Sequence, residues 1–173
     1  MADLSAAAQA TVQVRVQGAA QMRELGVSLA AFLRAGDLIV LTGKLGAGKT
    51  TLAQGIGTGL GVRGPVTSPT FVIARVHRSL RGGPDLVHAD AYRLGSRLEV
   101  DDLDLDTELD RSVLVVEWGE GLVEYLAPAH LLVRIDRPRP AVPDGSAAEP
   151  GDEPRLVTIT GMSSMITRLS QVI

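Results

Sequence analysis

Residues 38–57 read LIVLTGKLGAGKTTLAQGIG, and this stretch decides the fold. LIVLT (38–42) is a short apolar run between Gly36–Asp37 and Gly43, the pattern of a strand buried on both faces. GKLGAGKT (43–50) fits the phosphate-loop pattern G-x-x-x-x-G-K-[ST]. Beyond it, Leu52, Ile56 and Leu60 recur every four residues and predict one apolar helical stripe. Strand, loop and helix together are the context a phosphate loop requires. Gly43, Gly46 and Gly48 permit backbone conformations that a Cβ would hinder. Successive N–H groups across Leu45, Gly46, Ala47, Gly48, Lys49, Thr50 and Thr51 can then turn inward on phosphate oxygens. Lys49 supplies a point charge for the β- and γ-phosphates, the Thr50 hydroxyl suits a Mg²⁺ ligand, and the helix start adds its positive end.

The flanking sequence predicts an α/β fold of the P-loop NTPase kind, with a parallel core extended by antiparallel hairpins. TVQVRV (11–16) alternates, with Val12, Val14 and Val16 on one strand face. AAQMRELGVSLAAFLRAGD follows with Met22, Leu25, Leu29 and Phe32 or Leu33 at helical spacing, and Gly36 as its expected stop. Gly55, Gly57 and Gly59 weaken the helix after the loop by about 1 kcal/mol each, if exposed, relative to Ala. Close approach to a neighbouring element is the expected compensation. TFVIARVH (70–77) and DLVHAD (85–90), joined through RGGPD, predict a β-hairpin. VLVVEW (113–118) reads as a second buried strand, and LLVRID (131–136) with RLVTIT (155–160) as a final pair. Residues 137–154 hold five of the nine prolines and four acids, a composition that predicts a flexible surface loop. The tail predicts a short amphipathic helix carrying Met162, Met165, Ile166, Leu169 and Ile173. The expectation is one domain over residues 1–173.

Bulk composition excludes several functions. Formal net charge is −3, which argues against a chain that grips nucleic acid through clustered cations. The chain has no cysteine, so disulfides, thiolate metal sites and cysteine nucleophiles are excluded. It has no asparagine and no D-x-x-G, so it lacks the guanine-reading signature of a GTPase. No secretory leader is legible in MADLSAAAQATVQV, and no apolar run approaches the roughly 18 residues of a spanning helix. No membrane association and a cytoplasmic location are expected.

A Mg²⁺-nucleotide site wants a carboxylate at a strand end. Glu117 closes the apolar run VLVVE, and Asp90 closes LVHAD. Trp118 follows Glu117 and is open to a core role or a site role. Ser68 and Thr70, in TSPTF, read on spacing alone as turn chemistry around Pro69. His77 and His88 lack the spaced partners of a metal cluster. Asp102, Asp104 and Asp106 depart from a calcium loop, with Thr107 at the sixth position and Val113 at the twelfth, and read as a solvated edge or docking surface.

Taken together, GKLGAGKTT, SPTF (68–71), HADAYRL (88–94) and VVEWGE (115–120) resemble, in order and spacing, the motifs of the TsaE (YjeE) ATPases of bacterial tRNA threonylcarbamoyladenosine biosynthesis. The resemblance covers most of the chain. It implies ATP and Mg²⁺ as cofactors and a TsaB–TsaD complex as partner, with ATP hydrolysis resetting that complex rather than performing the transfer. It implies Lys49 on phosphate, Thr50 and Glu117 on the metal, and Asp90 orienting the attacking or a metal-bound water. It moves Trp118 toward the site and makes Thr70 a γ-phosphate sensor; Glu120 and Arg155 become nucleotide-contact candidates, and Arg93 a candidate arginine finger. Lys44 replaces the acid usual after the first glycine, and the 137–154 loop is longer than the family core needs. A small-metabolite kinase and a nucleotide-gated docking protein are the rival readings.

Overall fold

The computed structural model describes residues 8–69, 73–138 and 153–173. Their strands are β1 (Gln9–Gln17), β2 (Leu38–Thr42), β3 (Ala74–His77), β4 (Asp85–Asp90), β5 (Ser112–Glu117), β6 (His130–Asp136) and β7 (Pro154–Met162). Their helices are α1 (Gly18–Phe32), α2 (Lys49–Leu60), α3 (Arg97–Asp101) and α4 (Ser163–Leu169). The seven strands form one sheet in the order β1-β7-β6-β2-β5-β4-β3. β6, β2, β5 and β4 are mutually parallel, while β3 joins β4, β7 joins β6 and β1 joins β7 antiparallel. This is the expected parallel core with antiparallel margins.

Burial explains which run went where. Leu38–Leu41 and Ser112–Glu117 are buried throughout, as strands covered on both faces must be. One core lies between the sheet and α1, α2 and α4; it includes Leu29, Leu52, Ile56, Val113 and Val115. Leu52 and Ile56 are fully buried, which contributes roughly 1.5–3 kcal/mol each. The opposite face packs Leu38, Val40, Val87, Val116 and Val100. The stretch around Asp102, Asp104 and Asp106 runs from α3 into a 3-10 turn (Leu105–Arg111), and Leu105 and Leu109 of that turn anchor it to this second core.

Local details differ from the sequence reading at two places. α1 ends at Phe32 rather than at Gly36, because Leu33 leaves the helix in an extended conformation. Gly36 instead sits in the following turn at φ 92°, and its N–H donates to Ser112 O at 3.0 Å. On α4, Met165, Ile166 and Leu169 are buried, but Ile173 lies beyond the helix end and is exposed. The hairpin strand of residues 70–77 is β3 from Ala74; Thr70, Phe71 and Val72 lie outside the described residues, as does 139–152 of the expected surface loop.

The glycines of α2 have the predicted use. A Cβ on Gly26 of α1 would lie 2.5 Å from Leu52 O, one on Gly55 would overlap the Arg23 carbonyl oxygen, and one on Gly59 would overlap the Ala30 Cβ. The two helices therefore meet backbone to backbone along a glycine seam. Gly57 faces the other way, against Val66 and Leu86. Replacing Gly55 by Ala tests this seam. Helix propensity alone would stabilise the variant by about 1 kcal/mol. Overpacking against fixed backbone should outweigh that and give a net loss of roughly 1–3 kcal/mol, read as a lower urea midpoint. A raised midpoint would show that α2 can move off α1 freely.

Candidate nucleotide site

Register assembles the site. Leu41 of β2, Glu117 of β5 and Asp90 of β4 occupy one rung at the carboxyl ends of three adjacent parallel strands. Open α/β sheets bind ligands at that edge. The loop after β2 begins there, with Gly43, Gly46 and Gly48 at φ 146°, 73° and 115°. These are left-handed conformations that side chains disfavour, and Gly48 is the residue from which α2 starts.

Thr50, in the first turn of α2, donates its hydroxyl to Glu117, 2.9 Å from Oε1 and 3.2 Å from Oε2. Lys49 is buried; its Nζ donates to the carbonyls of Gly43 (2.8 Å) and Lys44 (3.1 Å) and lies 4.0 Å from the centre of the Trp118 ring. Burial pushes the Lys49 ammonium below its usual 10.5, against the opposing pull of Glu117 and Asp90. Trp118 takes φ 61°, an unusual conformation for a large side chain, costing about 1–3 kcal/mol. Its N–H donates to Leu41 O at 2.9 Å, and its ring meets Tyr92 edge-on at 5.1 Å. Asp90 Oδ1 accepts from the Tyr92 N–H at 2.9 Å.

Two adjoining clefts open here. One, of about 220 Å³, is lined by Lys49, Thr50, Thr51, Asp90 and Glu117. The other, of about 320 Å³, is bordered by Leu45, Pro69, Ile73, Tyr92, Arg93 and Trp118. The candidates Leu45, Gly46, Gly48, Lys49, Thr50, Thr51, Asp90, Glu117 and Trp118 thus converge on the first cleft. Ala47 is buried in the loop. Thr70 lies outside the described residues. Glu120 does not line either cleft; it pairs with Arg134 at 2.8 Å on an exposed face. Arg155 is buried behind the loop, where its Nε donates to Ala47 O at 3.2 Å and its Nη1 to Glu153 O at 2.6 Å.

Two site-linked residues escaped the sequence reading. Arg137 donates from Nη2 to Gly46 O at 2.6 Å, bracing the loop from the end of β6. His88 is fully buried and its Nε2 lies 2.8 Å from Glu117 Oε1. Alternation puts His88 on the face of Asp90, two residues further along the strand, but its reach to Glu117 depends on the register between β4 and β5.

The donor set fits Mg²⁺. Thr50 Oγ and the Glu117 carboxylate are hard oxygen donors already side by side, with Asp90 on the same cleft.

Comparison with known proteins places the chain in a family. Residues 16–141 match the profile of the family described as "Threonylcarbamoyl adenosine biosynthesis protein TsaE". The chain belongs to the TsaE family. It is 61% identical over 142 residues to the tRNA threonylcarbamoyladenosine biosynthesis protein TsaE of Streptomyces coelicolor, covering 82% of this chain and 90% of that relative. The Bacillus subtilis TsaE is 35% identical over 143 residues, covering 82% of this chain and 80% of the relative. Among solved structures, the crystal structure of Bacillus subtilis YdiB superposes with a TM-score of 0.70 at 27% identity, covering 95% of this chain and 97% of that one. Of the motifs quoted from the sequence, the described residues Lys49, Thr50, Ser68, Asp90, Glu117 and Trp118 line one cleft at this sheet edge. Among the described residues no helix is long and apolar enough to cross a membrane.

The Thr50–Glu117 bond yields a direct test. Thr50→Val removes a donor from a buried carboxylate and should lower the unfolding free energy by roughly 1.5–3 kcal/mol in denaturant titration. Thr50→Ser should recover most of the loss. Equal stabilities for Val and Ser would show that the bond contributes nothing.

Proposed function

We propose that this chain is a Mg²⁺-dependent ATP hydrolase that acts with a TsaB–TsaD-like complex in threonylcarbamoyladenosine modification of tRNA. On this reading residues 1–173 work as a single cytoplasmic ATPase unit that does not grip tRNA itself. The observation that carries it is the 2.9 Å contact between the Thr50 hydroxyl and Glu117, which joins the phosphate loop to a strand-end acid. Family membership supplies the pathway, since the relatives are named for threonylcarbamoyladenosine biosynthesis.

Phosphoryl transfer is catalysed mainly by positioning and charge stabilisation. The loop N–H groups from Leu45 to Thr51 hold the phosphates, and Lys49 exchanges its carbonyl partners for β- and γ-phosphate oxygens. Thr50 and Glu117 would hold Mg²⁺, which would supply charge neutralisation for the phosphates. Asp90 orients the attacking water. The Trp118 ring covers Lys49, and Arg93, on the adjoining cleft, is the candidate for balancing charge at the γ-phosphate. Thr70 senses the γ-phosphate. Arg155 acts from behind by fixing the carbonyl of Ala47, and Glu120 is a peripheral contact at most. The site opens to solvent beside exposed Leu45 and Tyr92, so a partner covering that face would complete it.

ATP turnover measured alone and with the TsaB and TsaD homologues of the same cell tests the proposal. Free phosphate should be released slowly by the chain alone and faster with the pair. Full activity alone, with no partner effect, would remove the partner assignment. A phosphorylated small acceptor would instead indicate a kinase. Glu117→Ala should cut turnover about 10–100-fold while far-UV circular dichroism is retained. Lys49→Ala should impair nucleotide binding or turnover, and a variant indistinguishable from the parent would sink the phosphate-loop assignment.

A further inference from the structure

We infer that His88 is the positioning residue of the metal site: its Nε2–H aims the Glu117 carboxylate at the Thr50 hydroxyl and so sets how strongly Mg²⁺ and nucleotide binding are coupled. This rests on the Mg²⁺-ATP reading above. His88 and Asp90 point to the same face of β4, and Val115 and Glu117 to the same face of β5. Register pairs Asp90 with Glu117 and His88 with Val115, so His88 stands one pleat behind the two acids. From there its Nε2 reaches Glu117 Oε1 at 2.8 Å. A carboxylate oxygen can only accept, so the ring nitrogen is the donor.

Glu117 itself has little freedom. It is 3% exposed, and its described side-chain partners are the Thr50 hydroxyl on the α2 side and His88 from the sheet. Both donors use Oε1, and Thr50 also reaches Oε2. Thr50 belongs to the nucleotide loop and changes partners when ligand arrives. His88 is 0% exposed inside the sheet–helix core and does not. It is therefore the fixed reference that keeps the carboxylate's rotamer when Thr50 turns toward metal. Its Nδ1 is buried with no hydrogen-bond partner among the described residues. The ring's polar work in the described structure is thus a single bond to Glu117, so a purely structural anchoring role explains it poorly. Outer groups that orient metal-binding side chains typically change metal affinity or activity by about 10–100-fold when removed.

The test compares His88→Leu, His88→Gln and His88→Asn. Glutamine places an amide N–H near the position of Nε2; asparagine places it nearer Nδ1, short of Glu117. Calorimetric ATP affinity is measured for each, once in chelator and once in excess Mg²⁺, and the ratio of the two is the metal coupling. His88→Leu and His88→Asn should lose about tenfold of that ratio while their chelator affinity stays within about twofold of the parent. His88→Gln should keep most of it. If His88→Leu does not fold, the Gln–Asn pair alone decides, and equal ratios for the two would overturn the role. A parent-like ratio in a folded His88→Leu would also overturn it and leave the Mg²⁺-ATP reading intact. A parent protein whose ATP affinity ignores Mg²⁺ would overturn both.

Discussion

The hydrogen bond from Thr50 to Glu117 is the constraint on which the site depends, because it joins two elements 67 positions apart in sequence. For Thr50 to reach the end of β5, α2 must leave the loop low over the sheet and stay there. The glycine seam with α1 allows this. Gly26, Gly55 and Gly59 let two helical backbones meet, so that Leu52 and Ile56 can be driven fully into the sheet. The local cost of glycine in a helix, about 1 kcal/mol each where exposed, is repaid by burial that a wider spacing would forfeit. Packing at one end of α2 and hydrogen bonding at the other are two consequences of the same approach.

Strain and burial accumulate where β5 ends. Trp118 is held in a left-handed conformation between the bond to Leu41 O, the edge of Tyr92 and the Lys49 ammonium. Lys49 is itself buried, and that burial lowers the pKa of its ammonium. Lysine buried this way is tolerable only with partners, and here they are two loop carbonyls, an aromatic face and two nearby acids. None of these is as good a partner as phosphate. The loop therefore holds a desolvated cation in place before ligand arrives, which is preorganisation in the electrostatic sense.

Much of this was legible in the sequence, and the reasons are physical. Buried parallel strands advertise themselves as unbroken apolar runs, so LIVLT and VLVVE are legible as strands, the second with its acid at the site end. The phosphate loop needs glycines at fixed positions, so its pattern survives translation into coordinates. Alternation located β1, and turn chemistry located the β3–β4 hairpin. The end of α1 was misplaced because a glycine four residues beyond Phe32 serves a turn rather than the helix stop. His88 has no spaced metal-ligand partner in the sequence, so spacing does not reveal its use. Its partner is a carboxylate on the neighbouring strand, and only register reveals that. Arg137 was hidden similarly, since its use comes from lying at the end of β6 beside the loop.

Register and backbone also account for the one loop residue that departs from the TsaE pattern. Lys44 is exposed, and its described contacts are made by its carbonyl oxygen, which accepts from Ala47 N–H at 3.0 Å and from Lys49 Nζ at 3.1 Å. Any residue offers that carbonyl, so an acid and a base are equivalent for the shape of the loop. Lys44 borders a cleft with Arg134 and Asp136 that neither Thr50 nor Glu117 lines. A charge reversal there alters the field around the loop's outer edge without touching the groups that hold phosphate. The loop's chemistry resides in backbone geometry fixed by three glycines and in two side chains, Lys49 and Thr50. The two surrounding arginines, Arg137 on Gly46 O and Arg155 on Ala47 O, grip that backbone by its carbonyls. Of the N–H groups at the opposite ends of those two peptide units, that of Ala47 is donated to Lys44 O, and that of Gly48 is left to face a nucleotide.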